Sequence, residues 1–425
     1  MLEEILDFRN IQKALQRVIS NKGAGGVDGM QTDELRDYLA QHWSELKSKI
    51  LSGMYRPSPV RGIEIPKASG GKRLLGIPTV IDRLIQQAIQ QWLSPVYEAD
   101  FSPYSYGFRP HRNAHQAVLQ ARSHIASGGS WIIELDLSNF FDRVHHDRLI
   151  SQLSKRISDK RTLDLIRRYL TSGILLGGVV SPRQEGTPQG SPLSPLLSNI
   201  VLDELDKELH KRGHKFVRYA DDCSIYVNSN KSAHRVLDSI TRYIEKVLRL
   251  KVNLEKTKIS RPGSCQLLGF SFYRNNKGEY RMWIPQSSLD RIRIKLRKLT
   301  MRSKPMTVKE RITGLESAIG GWVNYFSIAD SKKSMQQLDR KVYNRLRICI
   351  WKQWKTIRNR YRNLIKLGLS KYYARMWSKT SIGYSRAARS PILCRTLTNA
   401  YFRKEGYVGF YERYYLKTKS QIKLF

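Results

Sequence analysis

The chain has 425 residues, with 75 lysine and arginine side chains against 36 aspartate and glutamate side chains, a formal net charge of +39. This length excludes a small basic module, and 40% hydrophobic residues exclude a disordered chain. So large a positive charge indicates a polyanionic partner, because each neutralised phosphate releases condensed counterions. Nucleic acid is the leading candidate. With no basic leader and no long apolar run, we expect an unsecreted protein without a membrane partner.

The four cysteines lie far apart and form no C-x-x-C pair. Neither a disulfide framework nor a cysteine zinc site is therefore indicated, and a reducing cytoplasm is the expected location. All nine histidines fall at or before His234, so the remainder of the chain lacks imidazole ligands for a metal-dependent nuclease.

The first third of the chain mixes helical and strand patterns. The apolar spacing predicts helices at 2–19, 35–50, 79–98, 112–126 and 145–170. Between the second and third of these, 60–66 and 73–77 alternate as strands around a glycine-rich turn at 68–72, which predicts a basic hairpin. An α+β domain follows from this mixture.

Further along, 216–227 contains strand, acidic pair and strand, which predicts a tight hairpin with Asp221 and Asp222 at its tip. A helix is predicted at 240–250 and strands at 251–254 and 267–273, whereas the spacing is helical from 287 onward. Taken alone, the Asp-Asp pair favours an ordinary turn, because aspartate is common in turns.

The charge is uneven along the chain. Residues 286–425 hold 33 basic and 7 acidic side chains. Between Asp339 and Glu405 there is no acid, while 18 basic and ten aromatic side chains are interleaved. This pattern is typical of a nucleic-acid-binding face. The alternative is a solvated helical face, but such a face usually alternates charges for i,i+4 pairing.

Two other clusters fit known sites poorly. His145 and His146 lie between Asp142 and Asp147 in the sequence, but adjacent helical residues point about 100° apart. We therefore expect surface or N-cap roles for the two histidines. The glycine-rich segment 23–29 lacks the Lys-Ser/Thr of a phosphate-binding P-loop.

Six features in register carry a resemblance to a known family. They are RLLGIP at 73–78, SYGFRP at 105–110, an apolar strand reaching Asp136, GTPQGSPLSP at 186–195, YADD at 219–222 and LGF at 268–270. In this order they resemble the bacterial group II intron-encoded reverse transcriptases, also called maturases, of the compact type that lacks a DNA endonuclease domain.

The resemblance implies a right-hand polymerase. We expect a helical extension of the fingers at 1–60, α+β fingers and palm at 61–285, and an all-α thumb and maturase domain at 286–425. The implied activity is RNA-directed DNA synthesis from deoxynucleoside triphosphates on an RNA template with a DNA primer. Binding of group II intron RNA would assist splicing, and target DNA would be the partner in retrohoming.

The resemblance also implies a metal site. Polymerisation of this kind uses two Mg²⁺ ions, for which Mn²⁺ can substitute, and hard cations require oxygen ligands. Asp136 and Asp221 would bridge the ions, Asp222 would be a lesser ligand, and the Leu137 carbonyl would complete one site. Glu134 shares a strand face with Asp136, and we expect it to be a structural, hydrogen-bonded acid.

Further residues take nucleotide-binding roles from the family. Phe141 would lie under the sugar and exclude a 2′-hydroxyl, with Phe140 in the core, and Gln189 would contact the incoming nucleotide. Lys67 and Arg73 would fold over the triphosphate, although a basic hairpin can also bind the template backbone.

Lys256 would act as an acid toward pyrophosphate, or it is a plain surface lysine. The residues expected to bind intron RNA are Arg358, Arg360, Arg362, Lys366 and Lys371. Two alternatives remain at this point: a catalytically idle RNA-binding splicing factor, and a reverse transcriptase of a retron or diversity-generating lineage.

Overall fold

The computed structural model describes residues 1–66 and 70–422, with side chains as far as 419. Its contacts divide the chain into two compact units, Met1–Cys265 and Gln266–Phe425. The sequence placed this boundary at 285. The difference arises because the hairpin that precedes 285 packs with the second unit, where the Asp330 N–H donates to the Met282 carbonyl at 2.8 Å.

In the first unit, helices and strands alternate along the sequence. Its helices are α1 (Leu2–Ile5), α2 (Phe8–Ser20), α3 (Leu35–Leu51), α4 (Val80–Glu98), α5 (Ala114–Ala126), α6 (His146–Ser154), α7 (Lys160–Thr171), α8 (Ser194–Lys211) and α9 (Asn230–Lys246). A 3-10 turn covers Phe140–Asp142. Polar side chains fix several helix starts, as where Thr79 Oγ1 accepts the Asp82 N–H at 3.1 Å and begins α4.

Eight strands of the first unit form two sheets. They are β1 (Val60–Pro66), β2 (Lys72–Ile77), β3 (Trp131–Leu135), β4 (Ile174–Leu176), β5 (Val179–Ser181), β6 (Lys215–Tyr219), β7 (Asp222–Val227) and β8 (Lys258–Ser260). One sheet has the order β2-β1-β4-β5, and the other has the order β6-β7-β3-β8 with every neighbour antiparallel. The second sheet carries the acids that the sequence singled out.

One face of the β6-β7-β3-β8 sheet is buried in the core. Alternate apolar residues of its strands share a hydrophobic cluster with residues of α8 and α9, among them Ile133, Leu135, Phe216, Ile225, Leu205 and Ile244. Because side chains alternate along a strand, this burial fixes the register, and a slip of one residue would turn the apolar set outward. The strand ends, where the acids lie, are thereby fixed in place.

Three predictions from the sequence were wrong in detail, two in this unit and one near the start of the second unit. The single helix expected at 145–170 is two helices, because Asp159 accepts the Arg161 N–H and starts α7 afresh. Residues 251–254 are not a strand; only Val252 forms a bridge, to Leu137. The strand expected from 267 begins at Ser271, after a tight turn in which Leu267 and Phe270 exchange both backbone hydrogen bonds.

As far as residue 422, the second unit is helical apart from one hairpin. Its elements are β9 (Ser271–Arg274), β10 (Tyr280–Trp283), α10 (Gln286–Leu299), α11 (Val308–Phe326), α12 (Lys332–Gln353), α13 (Ile357–Lys366), α14 (Lys371–Ser378), α15 (Tyr384–Ala387), α16 (Pro391–Thr396), α17 (Asn399–Lys404) and α18 (Phe410–Ile422). Asp339 on α12 accepts the N–H groups of Phe410 and Tyr411, both at 2.8 Å. A partly buried carboxylate therefore holds the start of α18. Within 1–66 and 70–422, every helix is too short or too polar to cross a membrane.

Candidate active site

A two-residue turn presents the acidic pair. Strands β6 and β7 pair with Tyr219 opposite Asp222, so that only Ala220 and Asp221 lie between them. Ala220 has a φ of 58°, whereas Asp221 keeps a negative φ, which makes the turn type II′. Glycine is the usual residue at this first position, and a sparsely populated backbone conformation of this kind costs another residue about 1–3 kcal/mol. The turn is therefore strained at the residue before Asp221.

The third acid reaches the same sheet end from the neighbouring strand. Leu135 at the end of β3 pairs with Cys223 of β7. Continuing that antiparallel register by one residue places Asp136 beside Asp222. The structure therefore brings together the carboxylates of Asp136, Asp221 and Asp222, as the sequence predicted.

The electrostatics of the turn reflect this crowding. Desolvation first, and then the charges of Asp221 and Asp136, raise the pKa of Asp222 to about 6, although part of the side chain reaches solvent. The ammonium of Lys256 opposes the rise, and its Nζ lies 3.9 Å from Asp136 Oδ2. Both partners of this ion pair are partly exposed, so it is weak. It nevertheless places Lys256 beside the carboxylates.

A loop after α9 fixes the backbone around Asp136. The Asn253 N–H donates to the Asp136 carbonyl at 2.9 Å, and the Ser138 N–H donates to the Lys251 carbonyl at 2.8 Å. The Asp136 N–H donates to Thr257 Oγ1 at 3.2 Å. These bonds bracket Leu137, whose side chain is buried. Residues 251–257, of which the sequence assigned 251–254 to a strand, thus position the first acid.

Glu134 behaves as expected. Ser260 of β8 donates its hydroxyl to Glu134 Oε1 at 2.6 Å, across the pairing of β3 with β8. The predicted hydrogen bond of Glu134 is confirmed; that this acid is structural and does not bind a metal stays a prediction.

The loop at 186–190 joins two parts of the site. The Thr187 N–H donates to the Phe141 carbonyl at 2.6 Å, and the Gln189 carbonyl accepts the Gly76 N–H of β2 at 2.9 Å. Phe141 is half-buried and Phe140 is buried in the core, as predicted for Phe140. Arg73 is an exposed residue of the same strand as Gly76. Phe141, Gln189 and the strand of Arg73 are therefore linked through the backbone, while Lys67 lies outside the described residues.

The histidine pair divides into two roles. His145 is the N-cap of α6, as expected, and its Nδ1 accepts the Arg148 N–H at 3.4 Å. His146 was expected at the surface or in a cap, but it is buried, with Nε2 2.7 Å from the Gly186 carbonyl. Burial lowers the pKa of His146, which favours the neutral ring. This histidine fastens the 186–190 loop.

The predicted RNA-binding residues lie on α13 and α14 of the second unit. Four of them are exposed: Arg358, Arg362, Lys366 and Lys371. Arg360 differs, because its guanidinium lies 4.6 Å from the centroid of the Trp351 ring and donates to the carbonyls of Trp354 and Thr380. Arg360 therefore stabilises the packing of α13 against its neighbours in the second unit.

The sequence analysis missed one residue beside the turn. Arg218, two residues before Ala220, is fully buried in β6. The signal was available, since a charged residue in an apolar strand is rarely buried without a partner. Its partners, however, lie on other elements and only the fold reveals them.

Both units match known protein families. Residues 65–272 match the reverse transcriptase (RNA-dependent DNA polymerase) family, and residues 289–368 match the group II intron maturase-specific domain. The chain is 35% identical over 289 residues to Protein YkfC of Escherichia coli (strain K12), an alignment that covers 59% of this chain and 76% of that protein. The chain belongs to the group II intron-encoded reverse transcriptases.

Other relatives of this reverse transcriptase are longer. It is 37% identical over 206 residues to the group II intron-encoded protein LtrA of Lactococcus lactis subsp. cremoris, covering 48% of the chain and 34% of LtrA. It is 32% identical over 265 residues to the putative COX1/OXI3 intron 2 protein of Saccharomyces cerevisiae, covering 61% of the chain and 29% of that protein. The chain thus spans about a third of the length of these two relatives.

The family match confirms the predicted α+β polymerase fold and the helical maturase part. The maturase-specific match also favours a group II intron-encoded protein over the retron or diversity-generating alternative.

The raised pKa of Asp222 predicts a pH effect on stability. A carboxyl with a folded pKa of about 6, against an ordinary 3.8, stabilises the fold below pH 4, and this contribution is lost as the pH rises through 6. In EDTA, the Tm of the wild type should therefore fall between pH 5 and 7.5 relative to that of Asp222→Asn. Differential scanning fluorimetry measures both. Asp238→Asn on α9 is the control and should parallel the wild type; identical profiles for Asp222→Asn and the wild type would contradict the assigned crowding.

Proposed function

We propose that the first unit copies RNA into DNA at the carboxylates of Asp136, Asp221 and Asp222, and that the second unit binds group II intron RNA to assist splicing and retrohoming in the bacterial cytoplasm. The observation that carries the first part is the convergence of three acids from two paired strands, with the pKa of Asp222 raised to about 6. An acid cluster of this kind at an open strand end is suited to cation binding.

The donors fit divalent cations such as Mg²⁺, with Mn²⁺ as a substitute. Carboxylate and main-chain carbonyl oxygens are the ligands that these hard ions prefer. Within 1–66 and 70–422, no group of three His, Cys, Asp or Glu residues could by itself hold a metal ion. The phosphate oxygens of the substrate would therefore complete the coordination that Asp136, Asp221, Asp222 and the Leu137 carbonyl begin.

The reaction joins a primer 3′-hydroxyl to the α-phosphorus of a deoxynucleoside triphosphate and releases pyrophosphate. When bound, the two cations would stabilise the attacking and leaving oxygens. The protein's own contribution is to fix the three carboxylates before the substrates arrive. Lys256 is proposed to donate a proton toward the leaving pyrophosphate, and the 3.9 Å between its Nζ and Asp136 Oδ2 supports this role.

The nucleotide would lie against the 186–190 loop, which is hydrogen-bonded to β2 and to the 3-10 turn. Phe141 is proposed as the wall under the sugar, Gln189 as a contact to the nucleotide, and Arg73, with Lys67, as partners of the triphosphate. For Phe141, Gln189 and Arg73 the support is the backbone linkage of their segments, since Gly76 bonds to Gln189 and Thr187 bonds to Phe141. Lys67 is assigned from the sequence alone. A template RNA paired with a DNA primer would occupy the same face.

The RNA-binding surface is proposed to be the α13–α14 surface, defined by Arg358, Arg362, Lys366 and Lys371. Tyr372 is 73% exposed and Tyr373 is 48% exposed on the same helix as Lys371. Exposed aromatic rings beside arginine and lysine suit unpaired RNA, because the bases stack on the rings and the cations contact phosphates. No acid lies between 340 and 404 to oppose this attraction.

Phe141→Ala should admit ribonucleotides, because the aromatic ring would exclude a 2′-hydroxyl by contact. The ratio of kcat/KM for a ribonucleotide to that for its deoxynucleotide should rise at least tenfold. Steady-state primer extension measures the ratio. Phe140→Leu, which alters the buried neighbour, should lower stability and leave the ratio unchanged. An unaltered ratio in Phe141→Ala would mean that another residue guards the sugar.

The two functions should fail separately. Changing Arg358, Arg362, Lys366 and Lys371 together to glutamine should weaken intron RNA binding and reduce the log–log salt slope by roughly 0.7–0.9 per lost phosphate contact. Primer extension on a short template should largely survive. Asp221→Asn should do the reverse, abolishing extension while still binding the intron and supporting splicing.

The control for the quadruple variant removes the same charge elsewhere. Helix α9 carries four exposed basic residues, Lys231, Arg235, Arg242 and Lys246. Their replacement by glutamine should lower RNA affinity far less. Equal losses in the two quadruple variants would show that net charge alone, and not the α13–α14 surface, binds the intron.

A further inference from the structure

We propose that a buried network centred on Arg218 is the positioning device for Asp221, acting on the central peptide of the turn. This inference rests on the proposed polymerase function. The Arg218 side chain is fully buried, and its Nε and Nη2 donate to the two carboxylate oxygens of Asp206 at 2.8 and 2.6 Å. Asp206, on α8, is equally buried. The pair thus forms a two-pronged ion pair shielded from solvent.

The remaining nitrogen of the guanidinium reaches the turn itself. Nη1 of Arg218 donates to the Ala220 carbonyl at 2.9 Å and to Asn199 Oδ1 at 3.0 Å. The Ala220 carbonyl belongs to the peptide that links Ala220 to Asp221. Type I′ and type II′ hairpin turns differ by a rotation of this central peptide. By holding the carbonyl, Arg218 selects one orientation, and that orientation sets the direction in which Asp221 leaves the turn.

The SYGFRP segment closes the network from the other side. Asn199 donates its side-chain amide to the Gly107 carbonyl at 2.9 Å. The segment runs beside β6, since the Tyr106 N–H donates to the Arg218 carbonyl and the Arg218 N–H donates to the Tyr104 carbonyl, both at 2.9 Å. A Cβ on Gly107 would stand 2.2 Å from the Ala220 nitrogen. Only glycine allows this close approach, so the backbone at Gly107 abuts the strained turn.

Arg109 in turn holds the SYGFRP segment in place. Its guanidinium donates to the carbonyls of Ser102 and Ser105, at 2.5 and 2.9 Å, and to the carboxylate of Glu98 on α4. The SYGFRP segment, to which the sequence analysis gave no role, therefore supports the turn that carries Asp221. The support matters because Ala220 adopts a left-handed conformation that an alanine disfavours.

Arg218→Lys tests the network. Lysine keeps the charge beside Asp206, but a single ammonium cannot bond the carboxylate, Asn199 and the turn carbonyl in the geometry of the guanidinium fork. We expect kcat for primer extension to fall at least tenfold and the Mg²⁺ concentration for half-maximal rate to rise, with KM for the deoxynucleotide within about twofold. Gly107→Ala should have the same effect, because its Cβ displaces Ala220.

Ala220→Gly provides the rescue. Glycine at the first central position favours the type II′ turn by itself, and it adopts a positive φ without strain. In the Arg218→Lys background, Ala220→Gly should restore most of kcat and the Mg²⁺ dependence, whatever happens to Tm. A role in folding alone predicts instead that activity follows Tm.

A direct binding measurement separates this inference from the polymerase assignment. Mn²⁺ binding to each protein is followed by electron paramagnetic resonance, with Asp221→Asn as the reference for loss of the site. Arg218→Lys should bind Mn²⁺ at least tenfold more weakly than the wild type, and Ala220→Gly should reverse the loss. Arg311→Lys, which alters a buried arginine of the second unit that bonds three carbonyls, is the control for lysine burial and should leave Mn²⁺ binding unchanged.

The outcomes are distinct. A wild type that binds Mn²⁺ through Asp221 but extends no primer would overturn the polymerase function and leave the network standing. Normal Mn²⁺ binding in Arg218→Lys, or weakened binding that Ala220→Gly fails to restore, would overturn the network.

Discussion

Arg218 and Asp206 form a fully buried ion pair, with 2.6 Å between Nη2 and Oδ2, next to a turn that would not hold its shape unaided. The positive φ of Ala220 strains this turn. Removing one partner of a buried pair costs about 3–5 kcal/mol, because the other charge stays desolvated. The guanidinium is therefore held in place, and its bond to the Ala220 carbonyl ties it to the turn that presents Asp221 beside two other acids.

The same principle recurs around the site, where backbone hydrogen bonds fix each functional side chain. The loop after α9 holds the peptides on both sides of Leu137, and His146 and Thr187 fasten the 186–190 loop to the segment that follows Asp136. Rigid placement of this kind suits a polymerase, because catalysis of phosphoryl transfer is mostly positioning and charge stabilisation. The acids themselves stay partly exposed, where nucleic acid and nucleotide can reach them.

Local patterns predicted much of this site. The apolar strand before Asp136 and the strand, acid pair and strand around Asp221 are short-range signals, and both elements lie where expected. Prediction failed where contacts distant in sequence decide. Val252, for example, is only a bridge because its partner is the segment after Asp136. The break at Asp159 is different, since it is a local N-cap that periodicity misses because apolar spacing continues across it. Arg218 and Arg360 look like ordinary basic residues until their partners are known.

The central claim is that Asp136 and Asp221 bind the cations of DNA synthesis, and a crystal structure with Mn²⁺ tests it most directly. The protein would be crystallised with an RNA template, a DNA primer lacking its 3′-hydroxyl, and a deoxynucleoside triphosphate. Anomalous scattering should place two Mn²⁺ ions about 3.5–4 Å apart. Both should be bridged by carboxylate oxygens of Asp136 and Asp221, with the Leu137 carbonyl on one of them. Ions bound elsewhere, with these carboxylates bound to protein groups alone, would contradict the account.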